Sequence, residues 1–265
     1  MKPRSLMSLV SSLLVGMTLF ASASASAEDT LETIMARKSI AIGIPADFPP
    51  YGFIGPDFKP QGLDVAVAQL VADKLGVKAE LMPVSTPNRI PYLQVKKIDL
   101  IVSALGKTPE REQVIDFTIA YAPFFQAIYG PKALSIKSFD DLAGKSVSVT
   151  RSTIQDNTLT QMAPPSTKIM RFDDDAATVA AFVSGQAQML CTGAAVAAAA
   201  VQKNPNLQAE YKLLLKDSPN FMGVRKGDKA LLEKVNAIIR QAKADGTLEA
   251  YARKWLGRGT GNLPE

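Results

Sequence analysis

Two stretches, 90–103 (IPYLQVKKIDLIVS) and 179–192 (VAAFVSGQAQMLCT), align without a gap, Leu93 on Phe182, Ile98 on Ala187 and Ser103 on Thr192. Each reads as a helix that feeds a β-rich run. Upstream of the first copy, Ser39–Ile44 (SIAIGI) reads as a strand. Residues 62–76 (GLDVAVAQLVADKLG) read as an amphipathic helix, with Leu63, Val67, Leu70, Val71 and Leu75 in phase and Gly76 where a left-handed cap belongs. Residues 79–84 read as a second strand. Around the second copy, Ser146–Thr150 and Lys168–Phe172 read as strands and 155–162 as a helix. Alternating strands and helices predict mainly parallel sheets with helices on their faces, and two such units predict two α/β lobes. The end of the chain is helical. Leu231, Val235, Ile238 and Ile239 form one apolar stripe, and Leu248, Tyr251, Ala252, Trp255 and Leu256 another. Residues 257–265 are expected to fray. The alanine-rich 194–200 favours helix on propensity alone.

Residues 1–27 have the layout of an export leader: Lys2 and Arg4, the apolar run 6–20, then alternating alanine and serine. The run is too short for the ~20 residues that span a bilayer. Cleavage near Ala27 would release the mature chain at Glu28. Removing Lys2 and Arg4 leaves 28 basic against 25 acidic side chains. That balance gives no electrostatic footprint for nucleic acid. The chain has no histidine, which excludes a Ser-His-Asp triad and a histidine-bound metal. Its one cysteine, Cys191, excludes an internal disulfide and a CxxC pair.

Some motifs look chemical and read better as structure. Gly144-Lys145-Ser146 resembles the end of a phosphate loop, but Phe139 stands where that motif needs its first glycine. Asp173-Asp174-Asp175 reads as helix-start capping rather than a cation site. Phe48 and Tyr51, around Pro49-Pro50, lie on a loop after a strand and suit either ligand contact or core packing.

Three groups of phrases together resemble the family 3 extracellular solute-binding proteins, the polar amino-acid receptors of ABC importers. The first is Asp47-Phe48-Pro49-Pro50-Tyr51 followed by Gly62-Leu63-Asp64-Val65. The second is 88–93 (NRIPYL), Lys97-Ile98-Asp99, Thr108-Pro109-Glu110-Arg111, Asp116-Phe117-Thr118 and Tyr121. The third is 141–145 (DLAGK), 224–227 (VRKG), 245–247 (DGT) and 254–257 (KWLG). The resemblance implies a two-lobed periplasmic binding protein fold of type II, each lobe a mainly parallel sheet with flanking helices, joined by two crossover strands near 122–128 and 218–224. Lobe one would be 28–124 plus 222–265, and lobe two 125–221.

The same resemblance implies a site between the lobes. Arg111 matches the arginine that grips the ligand carboxylate, where a guanidinium can form two parallel charge-assisted bonds. Ser103, Leu105 and Gly106 lie past a strand end and would offer hydroxyl and N–H groups, with Gly106 replacing a commoner Ser or Thr. Ser152 and Thr153, where the family usually has Gly-Thr, sit at a helix start that favours an anion. Phe48 and Tyr51 would face the ligand side chain. Gly193 stands where amino-acid receptors carry the aspartate that pairs with the ammonium, so another acid, Asp156 or Asp47, is expected to take over, or the ligand is not an ordinary α-amino acid. Restoring the acid, Gly193→Asp, is expected to shift preference toward α-amino acids.

The implied function is a periplasmic, monomeric, non-catalytic receptor that binds a small carboxylate-bearing ligand, closes, and docks on a membrane permease, with no metal, cofactor or nucleic acid. The alternative is a cyclohexadienyl dehydratase-like enzyme on the same scaffold with Asp156 as general acid. A third reading is the sensing domain of a receptor working through a separate partner.

Overall fold

The computed structural model describes residues 30–264; the expected export leader lies outside the described residues. The chain opens with α1 (Thr30–Arg37), β1 (Ser39–Ile44), the short strands β2 (Asp47–Phe48), β3 (Gly52–Ile54) and β4 (Pro60–Gln61), then α2 (Leu63–Leu75), β5 (Lys78–Pro83), α3 (Arg89–Gln94), β6 (Leu100–Leu105), α4 (Pro109–Glu112) and β7 (Ile115–Ala122). The middle holds β8 (Phe125–Pro131), β9 (Ser146–Thr150), α5 (Ile154–Met162), β10 (Lys168–Phe172), α6 (Asp175–Val183), β11 (Met189–Gly193), α7 (Ala194–Lys203) and β12 (Ala209–Asp217). The end is β13 (Asn220–Arg225), α8 (Lys229–Ala244) and α9 (Thr247–Leu256).

Two five-stranded sheets result, ordered β5-β1-β6-β13-β7 and β10-β9-β11-β8-β12. In each, four strands run the same way and one opposes them, β13 in the first sheet and β8 in the second, both strands that connect the sheets. The chain passes between sheets twice, through Pro123-Phe124 and through Ser218-Pro219. β2, β3 and β4 form a separate small antiparallel sheet that the sequence patterning did not announce.

The internal repeat is real in three dimensions, with one shift. Both strands begin two residues later than their apolar runs. Ile98 and Ala187 still belong to the helix–strand turn: the Ile98 N–H donates to Tyr92 O at 3.4 Å and the Ala187 N–H to Ala181 O at 2.8 Å. Both side chains are buried, which is why the apolar pattern starts before the sheet ladder does.

The stripes read in α8 and α9 are the ones buried. Leu231, Val235, Ile238, Ile239 and Leu248 join the core that α2, β1 and β6 build. Residues 257–264 are not a loose end. Glu249 accepts from the Thr260 N–H and hydroxyl, and Pro264 O accepts from the Ala120 N–H at 3.3 Å. Arg258 lies over the Phe125 ring, 4.4 Å from its centre.

Charged residues from distant phrases staple the first sheet. Asp99 pairs with Arg37 and with Arg225, and accepts from the Ala41 N–H at 2.8 Å. Asp116 pairs with Lys226 at 2.7 Å and accepts from the Gly227 N–H. Asp64, fully buried at the start of α2, accepts from the Tyr121 hydroxyl at 2.8 Å and from the Ala104 N–H at 2.7 Å. Burial raises the Asp64 pKa to about 7, against the lowering pull of those bonds. The folded protein therefore holds a proton that the unfolded chain releases above pH ~4. This group's contribution to stability falls as pH rises from about 4 to 7. Asp64→Asn does not titrate. The unfolding free energy of that variant relative to the parent is expected to shift in the variant's favour by on the order of 1–4 kcal/mol over this range, as read by urea denaturation at each pH.

Candidate functional site

In open sheets with parallel strands, ligands sit beyond the carboxyl ends of the strands. Here those ends meet. From the first sheet come Pro45 after β1, Thr86 before α3, Arg89 on α3, and Ser103 and Ala104 at the end of β6. From the second come Thr153, Gln155 and Asp175, with Phe48 and the crossover residue Phe124 between them. Together they enclose a space of about 20 Å³. That holds about one water molecule, so any larger guest must part the walls. A wider groove of about 520 Å³ lies elsewhere, between Pro131, Phe182 and Leu207, and no charged side chain lines it.

The seam is closed by hydrogen bonds between the two halves. Arg111 Nη1 donates to Gly106 O at 2.6 Å, and Nη2 donates across to Ser152 O at 2.8 Å. Its backbone is set by α4: Pro109 opens the turn, and the Thr108 hydroxyl caps it by accepting from the Arg111 N–H. Asp47 Oδ2 accepts from the Asp175 and Ala176 N–H groups at the start of α6. The Thr86 hydroxyl donates to Asp175 Oδ2 at 2.9 Å.

Charge is concentrated here. Burial, with the neighbouring Arg89 charge, lowers the Arg111 pKa to about 9, so the guanidinium stays charged at neutral pH but poorly solvated. Arg89 is itself buried, its pKa lowered by burial to about 10, and it donates to Ser103 O at 2.5 Å. Two close guanidinia form a positive pole that an anion would relieve. Asp175 is the one carboxylate in the cavity wall. Burial, helped by the charge of Asp47, raises its pKa to about 6.

Of the ten residues proposed from sequence, Phe48, Ser103 and Thr153 line the cavity. Tyr51 stands behind Phe48, its ring 5.7 Å away and its hydroxyl donating to Pro123 O at 3.1 Å. Its choice between ligand and core falls to the core. The Leu105 side chain is fully buried with Leu93, Ile98 and Ile101 behind the sheet. A Cβ at Gly106 would meet Ile154 Cδ1 at 2.4 Å, so a larger residue there requires the end of the Ile154 side chain to shift. Ser152 has φ 63, the left-handed region that glycine adopts freely; serine bears roughly 1 kcal/mol of strain there. Thr153 caps α5 by accepting from the Asp156 N–H at 3.0 Å. Asp156 is paired with Arg171 at 2.7 Å and does not line the cavity. Asp47 is spent on the α6 backbone.

Sequence reasoning missed Arg89, Thr86, Phe124, Gln155 and Asp175. Arg89 lies within NRIPYL, and nothing local marks it as buried. Asp173, Asp174 and Asp175 together predict capping at a helix start. Only Asp174 caps, accepting from the Ala177 N–H at 2.6 Å, while Asp173 pairs with Arg151.

The model of the bacterial extracellular solute-binding proteins, family 3, matches residues 40–258. The chain is 30% identical to the ABC transporter glutamine-binding protein GlnH of Bacillus subtilis, over 87% of this chain and 86% of that protein. It is 30% identical to the L-cystine-binding protein TcyJ of Escherichia coli K12, over 87% of each. Among solved structures, an ancestral arginine-binding protein bound to arginine superposes with a TM-score of 0.79 at 35% identity, covering 83% of this chain and 99% of that one.

Gly193 needs a correction. A Cβ there would lie 2.6 Å from Phe124 Cε2, so an added carboxylate meets a ring before it meets a ligand. Gly193→Asp alone is expected to destabilise the protein by ~1–3 kcal/mol through overpacking rather than to change preference. A double-mutant cycle with Phe124→Leu should show favourable coupling between the two substitutions, as read by differential scanning calorimetry.

Proposed function

The chain belongs to the bacterial extracellular solute-binding proteins, family 3, and on that footing we propose that it is the solute-binding component of an ABC importer for a polar amino acid or a related small carboxylate. The lobes are 28–124 with 222–265, and 125–221, hinged at the two chain passages between the sheets. The chain is exported to the periplasm as its leader is cleaved near Ala27, works as a monomer, and hands its closed form to a membrane permease. It binds and does not catalyse. The relatives named as glutamine-, cystine- and arginine-binding proteins support this reading and set the range of solutes to test.

One observation carries the proposal: two guanidinia stand near where the strand ends of both sheets meet, Arg89 buried in the cavity wall and Arg111 half-buried and bonded across the seam. Arg111 spends two of its five N–H donors on carbonyls, Gly106 on its own side and Ser152 across the seam, and keeps others for a carboxylate. A solute carboxylate entering between the lobes would add charge-assisted bonds to a guanidinium that burial has left short of solvation. The Ser103 hydroxyl, the Leu105–Gly106 backbone and the Ser152–Thr153 turn at the start of α5 would complete the anion cradle. Phe48 would face the solute side chain, with Tyr51 holding it in place. Closure would then be driven by the solute, because only a guest that touches both walls favours the closed form over the open one.

Arg111→Ala is expected to weaken binding of carboxylate ligands by ~2–5 kcal/mol, roughly thirty-fold to several thousand-fold. Isothermal titration calorimetry with L-glutamine, L-arginine and L-cystine measures it. A loss below threefold for every ligand that binds the parent protein would remove Arg111 as the anchor.

A further inference from the structure

We propose that Asp175 supplies the counter-charge for an ammonium group on the solute, so that the cleft selects a zwitterion over a plain carboxylate. This rests on the solute-binding reading of the cleft and goes further by assigning the cationic pole.

The usual place for that charge is closed. Gly193 lies against the Phe124 ring, with 2.6 and 2.7 Å left between an ideal Cβ and the nearest ring carbons. The two acids that the sequence offered instead are engaged, Asp47 with the backbone of α6 and Asp156 with Arg171. Asp175 remains, and it lines the same cavity as Arg89 and Phe48.

Its surroundings give the charge no direct ion pair, and only the nearby Arg89 guanidinium favours the ionised form at longer range. The residue is 6% exposed. Oδ1 accepts from the Thr150 hydroxyl at 2.6 Å, and Oδ2 from the Thr86 hydroxyl at 2.9 Å. Both donors are neutral. Arg89, in the same wall, donates instead to the carbonyls of Ser103 and Ala104. Among the described residues, no cation stands within ion-pair distance of Asp175. A buried carboxylate held only by hydroxyls is costly, and its pKa, raised by burial to about 6, records that cost. A carboxylate offers about four acceptor positions, and two are filled here.

The hydroxyls come from opposite halves, Thr86 from the first and Thr150 from the second. They aim the carboxylate from both sides of the seam, so its position depends on closure. The rings of Phe48 and Phe124 complete the wall, and their faces suit a cation better than an anion. Arg89, beside Asp175 in the same wall, is engaged with two carbonyls, and Arg111 lies at the seam, so the cleft offers an amino acid both a guanidinium and a carboxylate.

The test uses three pairs of probes: L-glutamine with 4-carbamoylbutanoate, L-arginine with 5-guanidinopentanoate, and L-cystine with 3,3′-dithiodipropanoate. Within each pair the second member lacks only the α-amino group or groups. Calorimetry on the parent protein is expected to show at least one amino acid binding thirty-fold or more tightly than its partner. Asp175→Asn should lose thirty-fold or more for that amino acid and less than threefold for the des-amino partner. Equal affinity within every pair on the parent protein would overturn the proposal. So would an Asp175→Asn variant that keeps its amino-acid affinity within threefold, or that loses both members of a pair equally. If Asp175→Asn fails to fold by circular dichroism, Asp175→Ser takes its place under the same thresholds, and a folded Asp175→Ser that keeps its amino-acid affinity within threefold overturns the proposal. Binding of des-amino carboxylates without preference for the amino acids would sink this assignment and leave the solute-binding reading standing. Binding of none of the six probes at millimolar concentration would overturn both.

Discussion

The buried carboxylate of Asp64 is the tie on which the geometry of the first half depends. It sits at the start of one helix and receives a hydroxyl from the strand that leads to the crossover, through Tyr121. It also receives an N–H from Ala104, at the end of the strand that enters the cleft. Three elements that share no local sequence are thereby fixed to one group. Ala104 has φ 42, a conformation that costs a non-glycine residue free energy, and the bond to Asp64 helps to hold it. The Ser103 and Ala104 carbonyls can then face Arg89, which places a guanidinium in the cavity wall. A single desolvated acid thus sets the position of a charge it never touches.

Much of the fold was legible because it is written in local patterns. The spacing of Leu63, Val67, Val71 and Leu75 gave a helix, and Gly76 ended it in the left-handed conformation expected. The repeat around Leu93 and Phe182 gave two α/β units. The phrases that carried the family resemblance turn out to be mostly staples: Asp99 meets Arg225, Asp116 meets Lys226, and Asp64 meets Tyr121. They identify the family because the fold requires them, and for the same reason they say little about the ligand.

The candidate site was less legible, since its key properties are products of tertiary burial. Arg89 and Asp175 carry no local mark that separates them from surface charges; each becomes unusual only when other elements cover it. The converse holds for Asp156, which looked free and is matched by Arg171 from another strand. Phe124 shows the same limit. A phenylalanine in a connecting segment predicts nothing in particular, yet its ring fills the space beside Gly193 and moves the question of the missing acid elsewhere. The charge pattern of the cleft has to be read from the enclosed surface rather than from any one position.

Cys191 is the only thiol in the chain, and it is 1% exposed on β11, with burial pushing its pKa well up. A buried neutral thiol reacts slowly with maleimides. A cysteine introduced at exposed Asn262, on the segment that lies near Phe125 and the first crossover, would therefore take up a fluorescent dye almost alone. The native protein already has the chemical silence that an optical biosensor needs, without removal of its own sulfhydryl.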